Sequence, residues 1–194
     1  MGPRRDRPGS VSRPPVTVRS RPERRSDGRA IADVVLAAFG SPREVRLVEA
    51  IRASSNFVPD LSLVAEIHGN VVGHVMISYA GLYDDQTRHR VATLSPLAVA
   101  PEFQRLGVGS ALVREVTARA DDRGEPVVVL EGSPKFYGRL GFEPSAPRGI
   151  HIALPSWAPP EAAQLVRLRN YNPSLRGHVA YPPAFDEVTR TDNT

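Results

Sequence analysis

The segment from Ser95 to Leu112 constrains the fold of this chain most strongly. An apolar, strand-like run passes through Gln104-Arg-Leu-Gly-Val-Gly109 into a helix-like stretch rich in Ala, Leu and Val. Because glycine lacks a Cβ, Gly107 and Gly109 allow the backbone N–H groups of a turn to point at one centre. The dipole of the following helix adds about half a positive charge, so an anionic phosphate suits this turn. The same glycines also fit a tight strand-to-helix connection that binds nothing.

A proline interrupts the apolar run before this turn. Pro96 cannot donate a hydrogen bond to a neighbouring strand, so it marks a sheet edge, a bulge or the true start of the strand. A bulge would splay the sheet and free the backbone of Leu97, Ala98 and Val99 to pair with an extended ligand that carries amides. Pantetheine, with two amides and a pyrophosphate at one end, is such a ligand. The P-loop and dinucleotide-binding patterns are not present.

Hydrophobic periodicity predicts the order strand, two helices, three strands, helix, strand and helix. The first helix has an apolar face from Ile31 to Phe39 and stops at Gly40, and the second begins near Pro42. Gly69-Asn70 separates two β-branched runs and predicts a hairpin turn. We further predict strands over 16–18, 61–68, 71–78, 91–100, 126–130 and 178–181, helices over 107–120 and 134–140, and a helix or a strand over 162–169.

The basic charge of the chain belongs to its N-terminal part. Residues 1–30 contain nine arginines and three carboxylates, a net charge of +6, so the whole-chain charge of +4 leaves −2 for the rest. Residues 1–14 are rich in Arg and Pro, which predicts a disordered arm before a single domain over 15–186 and a tail over 187–194. The charge pattern therefore argues against nucleic acid as a partner of the folded domain.

Several classes of protein and site are excluded by composition. The chain has no cysteine, hence no disulfide, thiolate metal site or cysteine nucleophile. No apolar stretch of roughly 7 to 15 residues follows the N-terminal arginines, and no apolar run of about 18 residues occurs, so we expect no export signal and no membrane partner. The histidines lack the spacing of metal ligands. We therefore expect a cytoplasmic protein without a metal.

Two segments resemble the GNAT superfamily of acyl-CoA N-acyltransferases. Gln104-Arg-Leu-Gly-Val-Gly109 resembles the Gln/Arg-x-x-Gly-x-Gly/Ala signature, and Phe136-Tyr-Gly-Arg-Leu-Gly-Phe142 resembles the Phe/Tyr-Tyr-x-x-x-Gly-Phe segment. Similarity to predicted bacterial acetyltransferases of the YhbS type extends over about residues 16–185. The resemblance implies an α/β (α+β) GNAT fold, with a mixed, mostly antiparallel twisted sheet, helices on both faces and a V-shaped splay between strands 4 and 5. Acetyl-CoA is the implied cosubstrate in that cleft.

The resemblance also implies roles for individual residues. Tyr137 corresponds to the tyrosine that donates a proton to the departing coenzyme thiolate, and a phenol pKa of about 10 keeps it protonated at neutral pH. Alternatively, Tyr137 is a core aromatic whose hydroxyl has a structural partner. The implied contacts to pantetheine are Leu97, Ala98 and Val99, and those around the pyrophosphate are Gln104, Arg105, Leu106, Gly107, Val108, Gly109 and Ser110.

The general base is not fixed by the sequence. Glu131, at the end of an apolar strand near the expected splay, is our first candidate, although a Glu in this position is often only solvated. His74 and Glu66 lie on other strands that can face the cleft, and a water chain would serve equally well. We predict direct acetyl transfer to a primary amine of a small molecule or peptide by a monomer or homodimer. The alternative is a non-catalytic acyl-CoA-binding sensor or interaction module.

Overall fold

The structure is a computed structural model that describes residues 18–84 and 87–186. This part of the chain forms nine strands, β1 (Arg19–Pro22), β2 (Phe57–Ile67), β3 (Asn70–Tyr83), β4 (Arg88–Val99), β5 (Val127–Glu131), β6 (Glu143–Pro144), β7 (Ile150–His151), β8 (Ala163–Arg167) and β9 (Gly177–Ala180). It also forms four α-helices, α1 (Gly28–Phe39), α2 (Pro42–Arg52), α3 (Val108–Asp122) and α4 (Pro134–Tyr137). The predicted arm over 1–14, the predicted tail over 187–194 and most of the predicted strand over 16–18 lie outside the described residues.

Helix α1 ends, and helix α2 begins, where the local sequence predicts. Gly40 ends α1 in the left-handed region, with φ of 68°, and its N–H donates to the Leu36 carbonyl at 2.8 Å. Ser41 caps α2, because its Oγ accepts the Arg43 N–H at 3.1 Å, and Pro42 occupies the first helical position. Both predicted helices are confirmed.

The β2–β3 hairpin turns one residue earlier than predicted. His68 and Gly69 form its turn, with φ of 51° and 81°, and Asn70 already pairs with Ile67 as the first residue of β3. Two successive positive φ values are typical of the type I′ turn that suits the twist of antiparallel strands. Histidine tolerates this region better than most side chains, which explains why the turn is not restricted to Gly69-Asn70.

Strand β4 carries the bulge that Pro96 indicates. Between the pairs Val75–Leu97 and Ile77–Leu94, β4 contains one residue more than β3, and the Ser95–Pro96 peptide within this step is cis. On its other side, β4 pairs in parallel with β5 only at Ala92 and Thr93. The remainder of β4 therefore diverges from β5, which confirms the predicted splay between these strands.

Helices cover both faces of the sheet. Helix α3 packs Leu112 against Val75 on one face, whereas α1 and α2 pack Ile31 and Leu47 against Met76 on the other. Burial of a large aliphatic side chain of this kind contributes about 1.5–3 kcal/mol. The sheet is mixed, with antiparallel strands in the order β1-β2-β3-β4 and a parallel β4–β5 pair. The predicted fold class is confirmed.

The C-terminal elements depend on tertiary pairing. Segment 162–169 forms a strand because β8 pairs antiparallel with all of β5, for example at Val128–Val166. The predicted helix over 134–140 is shorter, since α4 ends at Tyr137 and a 3-10 turn continues to Leu140. The predicted final strand corresponds to β9. Over the described ranges, no helix combines the length and the apolar character that a membrane span requires.

Candidate active site

The turn before α3 has the backbone geometry that its glycines predict. Arg105 and Gly107 both lie in the left-handed region, with φ of 60° and 86°. The first bond of the helix runs from the Ala111 N–H to the Gly107 carbonyl at 2.9 Å. The N–H groups of the three residues between them precede helical hydrogen bonding and point toward the helix start. This arrangement can bind an anion.

An open cavity of about 630 Å³, the outer chamber, lies beside this turn. Its volume falls in the range of roughly 300–1,000 Å³ that is usual for ligand sites. A Cβ on Gly109 would reach 3.5 Å from Phe136 and 3.6 Å from Val99, so the glycine keeps the chamber wide. The walls come from the end of α1, from β4, from the turn and from α4: Ala38, Phe39, Leu97, Val99, Gln104, Arg105, Gly107, Gly109, Ser110, Phe136 and Arg139.

Three of the predicted coenzyme-binding residues do not line the outer chamber. The Ala98 and Val108 side chains are buried in the core, and Leu106 is 49% exposed away from the chamber. Val108 therefore offers a ligand only its backbone N–H. The structure brings the other predicted residues together along one wall, namely Leu97, Val99, Gln104, Arg105, Gly107, Gly109 and Ser110.

Backbone alternation decides which groups of β4 face the splay. Ala100 donates its N–H to β3 at 2.9 Å, and Ala98, two residues earlier in the same register, also directs its backbone groups to β3. The N–H and C=O groups of Leu97 and Val99 consequently point away from β3. In agreement with this, the Val99 carbonyl accepts a hydrogen bond from Gln104 Nε2 at 3.0 Å. An extended ligand would meet this outward edge at Leu97 and at the Val99 N–H, since Gln104 already donates to the Val99 carbonyl.

A smaller cavity of about 260 Å³, the inner chamber, adjoins the outer one. Phe39 and Leu97 line both cavities. The inner chamber lies where β4 and β5 diverge, and its walls are Phe39, Glu44, Leu47, Leu94, Ser95, Pro96, Leu97, Glu131, Gly132 and Tyr137. The outer chamber thus lies at the anion-binding turn, and the adjoining inner chamber is lined by both residues predicted for catalysis.

Tyr137 is held in place by aromatic packing. Its ring meets Phe136 at a centroid distance of 4.8 Å and Phe142 at 5.5 Å, edge to face in both cases. The side chain is 8% exposed, and this burial raises the pKa of Tyr137 to about 12. The phenol therefore remains protonated at neutral pH. Tyr137 is part of the core and of the chamber wall at once, so its hydroxyl has a fixed position.

Comparison with known proteins decides the family. The model of the Acetyltransferase (GNAT) family matches residues 29–142, more than half of the chain. The chain belongs to this family. YjhQ of Escherichia coli strain K12, an uncharacterized N-acetyltransferase, is 32% identical over 157 residues, 80% of this chain and 87% of its own length.

Two solved GNAT structures share the fold. YhbS from Escherichia coli, in complex with CoA, has a TM-score of 0.79 at 26% identity and covers 90% of this chain and 95% of its own. A GNAT acetyltransferase from Brucella melitensis, in complex with acetyl-CoA, has a TM-score of 0.70 at 30% identity and covers 88% and 99%. The predicted similarity to YhbS and the predicted class, an acetyl-CoA-dependent acyltransferase, are confirmed.

Glu131 ends β5 at the mouth of the inner chamber of this GNAT fold. Partial loss of water raises the pKa of the carboxyl, and the Tyr181 hydroxyl opposes this by lowering it. Tyr181 follows β9. Burial and the charge of Glu131 raise the pKa of Tyr181, so its phenol remains protonated and can donate a hydrogen bond to the Glu131 carboxylate. A carboxylate whose pKa is shifted toward neutrality, beside a cavity, suits a general base.

His74 and Glu66 do not reach the cleft, so their assignment as candidate bases was wrong. Glu66 accepts Arg21 Nη2 at 2.6 Å. His74 is fully buried, with Nε2 3.1 Å from Ser62 Oγ and 3.3 Å from Glu23 Oε2. Both side chains belong to polar networks that stabilise the fold, because partners from neighbouring elements surround them.

Two residues, one in the wall of the inner chamber and one against Glu131, were missed by sequence reasoning. Glu44 lies in the first turn of α2 and lines the chamber, and Tyr181 contacts Glu131 from beyond β9. In the sequence, Glu44 looks like the acidic residue that any helix start favours, and nothing links Tyr181 to β5. Within residues 18–84 and 87–186, no group of three or more His, Asp and Glu side chains is placed to hold a metal ion.

Proposed function

We propose that this protein transfers the acetyl group of acetyl-CoA directly to a primary amine of a small molecule or a peptide. The observation that carries the proposal is the pair of adjoining chambers, one beside the start of α3 and the other lined by Tyr137 and Glu131. The residues present fit the cosubstrate. The N–H groups that follow Gly107 suit a pyrophosphate, and the outward backbone of Leu97 and Val99 suits the amides of pantetheine.

Proton transfer is the main chemical task left to the chain, because acetyl-CoA itself supplies an activated thioester. An amine with a pKa near 10.4 is neutral in about one of 2,500 molecules at pH 7, a deficit of roughly 4–5 kcal/mol. A thiol with a pKa near 8.5, in contrast, leaves with little assistance. A base is therefore needed more than an acid.

Glu131 and Tyr137 divide these roles. The amine nitrogen forms a bond to the carbonyl carbon while the bond from that carbon to sulfur breaks. Glu131 first accepts the proton of the ammonium form, directly or through a water molecule, and passes it to solvent; it then accepts the second proton that the nitrogen loses as the amide forms and releases that one to solvent as well. The Tyr137 O–H donates a proton to the sulfur and regains one from solvent. The products are an acetamide and a free thiol, and the protein returns to its initial protonation state.

A thiol-release assay with acetyl-CoA and a panel of amines tests this proposal. We expect turnover of at least one amine and a kcat about 100-fold lower in Tyr137→Phe, the loss typical of a general acid. Tyr171→Phe is the matched control, since Tyr171 packs against Arg167 away from the cleft. Coenzyme binding without turnover of any amine, and without an effect of Tyr137→Phe, would instead support the acyl-CoA sensor.

A further inference from the structure

Phe39, the last residue of α1, lies on the buried side of this helix but is itself 44% exposed. It follows Ile31 and Val35 along one helix face, and both of these side chains are fully buried in the core. Phe39 continues the same face, but it lines the outer and inner chambers instead of the core. Its exposure therefore arises from the open chambers on that side of the helix.

Phe39 and Leu97 form the junction of the two chambers, because both residues line both cavities. They belong to different layers, Phe39 to α1 and Leu97 to β4. The pyrophosphate of acetyl-CoA suits the turn at the outer chamber, whereas the thioester has to reach Tyr137 and Glu131 in the inner chamber. The pantetheine arm that joins these two groups therefore passes between Phe39 and Leu97.

Water competes with the amine in the inner chamber. A base that accepts a proton from an amine can also accept one from a water molecule, which would then attack the thioester. Apolar groups that close a site exclude water and protect a reactive group from hydrolysis. Among the apolar walls of the inner chamber, Leu47 and Leu94 are almost fully buried, whereas Phe39 has an exposed ring surface that a ligand can cover.

We propose that Phe39 packs against the pantetheine arm at the junction and shields the thioester from water. This inference rests on the proposed acetyl transfer. The arm covers the exposed surface of the ring, and the ring covers the arm on the side that faces α1. The sequence does not indicate this contact, because the end of α1 and the glycine turn are far apart along the chain. Removal of the ring should weaken coenzyme binding and admit water.

Calorimetry with two ligands tests the contact with the arm. CoA carries pantetheine, whereas 3′-phospho-ADP is the part of the same molecule without it. Because the ring surface to be covered is only part of an aromatic side chain, we expect the Kd for CoA to be roughly 10-fold higher in Phe39→Ala than in the wild type. The Kd for 3′-phospho-ADP should be unchanged, since its phosphates bind at the turn before α3.

The thiol-release assay tests the shielding from water. Thiol release from acetyl-CoA without an amine measures hydrolysis, and the additional release with an acetylated amine measures transfer. We expect the ratio of hydrolysis to transfer to rise several-fold in Phe39→Ala, because water then reaches the thioester. Phe39→Leu keeps a smaller apolar cover and should show smaller changes in the same direction.

Leu36→Ala is the matched control for Phe39→Ala. Leu36 is 46% exposed on the same helix, but it lines neither chamber. Its replacement should leave both Kd values and the ratio of hydrolysis to transfer unchanged. Thermal unfolding shows whether each variant is folded, and the same measurements on Phe39→Leu decide if Phe39→Ala is not.

The outcomes distinguish this inference from the proposed function. An unchanged Kd for CoA in Phe39→Ala, or Kd values that rise equally for CoA and 3′-phospho-ADP, overturns the contact with the arm but leaves acetyl transfer standing. An unchanged ratio of hydrolysis to transfer overturns the shielding. If no amine is acetylated although CoA binds, the proposed function fails and the shielding fails with it, and the two Kd values alone decide the contact.

Discussion

The ring of Tyr137 occupies the space in which a side chain of Gly132 would lie. A Cβ on Gly132 would come within 2.8 Å of Tyr137 Cδ2 and closer still to Cε2. The backbone of Gly132 is fixed on both sides, because its N–H donates to the Ala162 carbonyl at 2.9 Å and its carbonyl accepts Gln164 Nε2 at 3.0 Å. The glycine that follows β5 therefore allows the Tyr137 ring to lie against the chamber.

Gly132→Ala is expected to displace the Tyr137 ring and to lower kcat by about 100-fold, since misplacing a reacting group by about 1 Å has effects of this size. The Kd for acetyl-CoA, measured by calorimetry, should change little because the outer chamber is untouched. Gly138→Ala is the control, as a Cβ there meets nothing within 4 Å. A kcat that is equal in both variants would exclude a catalytic position for Tyr137.

The left-handed conformation of Gly107 is expected to matter for both stability and binding. Gly107→Ala adds a Cβ in open space at φ of 86°, so its cost is backbone strain of about 1–2 kcal/mol rather than a clash. We expect the free energy of unfolding to fall by about this amount and the affinity for acetyl-CoA to weaken if the turn rearranges.

Gly28→Ala is the matched control for Gly107→Ala. Gly28 also has open space around it, but its backbone is right-handed helical, with φ of −51°. Alanine should therefore stabilise the protein, by up to about 1 kcal/mol, through the entropy of the unfolded chain. Urea denaturation and calorimetry measure both quantities. Opposite signs at the two positions are the expected result, and equal shifts would contradict the role of the left-handed turn.

Local sequence signals were sufficient for the elements that local chemistry decides. Gly40, Ser41 and Pro42 define the boundary between α1 and α2, whereas Pro96 indicated an edge, a bulge or a strand start, and the β3–β4 register decides for the bulge. The hairpin was misplaced by one residue because His68-Gly69 and Gly69-Asn70 are both compatible with a two-residue turn. Only the cross-strand register, with Asn70 opposite Ile67, decides between them.

The candidate site was predictable where a contiguous segment builds it, and not where distant elements meet. The turn over 104–110 can be read from the chain because its backbone conformation follows from its glycines. Glu44 reaches the inner chamber, and Tyr181 reaches Glu131, only through the packing of α2 and β9, which no local pattern encodes. For the same reason, segment 162–169 remained undecided until its pairing with β5 was known.

The activity of a base at Glu131 is expected to disappear as the carboxyl group is protonated. Because loss of water raises the pKa of Glu131, kcat should fall on the acid side at a pH above the ordinary glutamate value of about 4.3. The Tyr181 hydroxyl lowers this pKa, so Tyr181→Phe should move the acid limb to higher pH. Phenylalanine preserves the stacking on Phe185, whose ring centroid is 4.7 Å away.

The pH dependence of kcat in the wild type, Tyr181→Phe and Glu131→Gln measures this effect. Glu131→Gln should lower kcat and abolish the limb altogether, whereas Tyr171→Phe should leave it in place. An acid limb that is identical in the wild type and in Tyr181→Phe would show that Glu131 is not the titrating base, and a water chain to another group would then be required.

The network around His74 is expected to make the fold sensitive to acid. Burial lowers the pKa of His74, an effect that Glu23 only partly offsets. Although burial alone would raise it, hydrogen bonds from His74, Arg52 and Ser62 lower the pKa of Glu23 to about 2. Both folded-state pKa values lie below their unfolded values, so the unfolded chain binds more protons as the pH falls.

The free energy of unfolding should therefore begin to fall as the pH drops below about 6.5, because the imidazole of His74 is protonated more readily in the unfolded chain. It should fall further below about pH 4.5, because Glu23 is then protonated in the unfolded chain, whereas its folded pKa is about 2. One proton difference corresponds to a slope of at most about 1.4 kcal/mol per pH unit. His74→Gln should be less stable at pH 7, because it disturbs a buried network, yet show a flatter dependence between pH 7 and 5. His68→Asn, at the exposed hairpin turn, should retain the wild-type slope. Urea denaturation across this range gives the slopes directly, and an unchanged slope in His74→Gln would mean that the buried imidazole does not control the acid response.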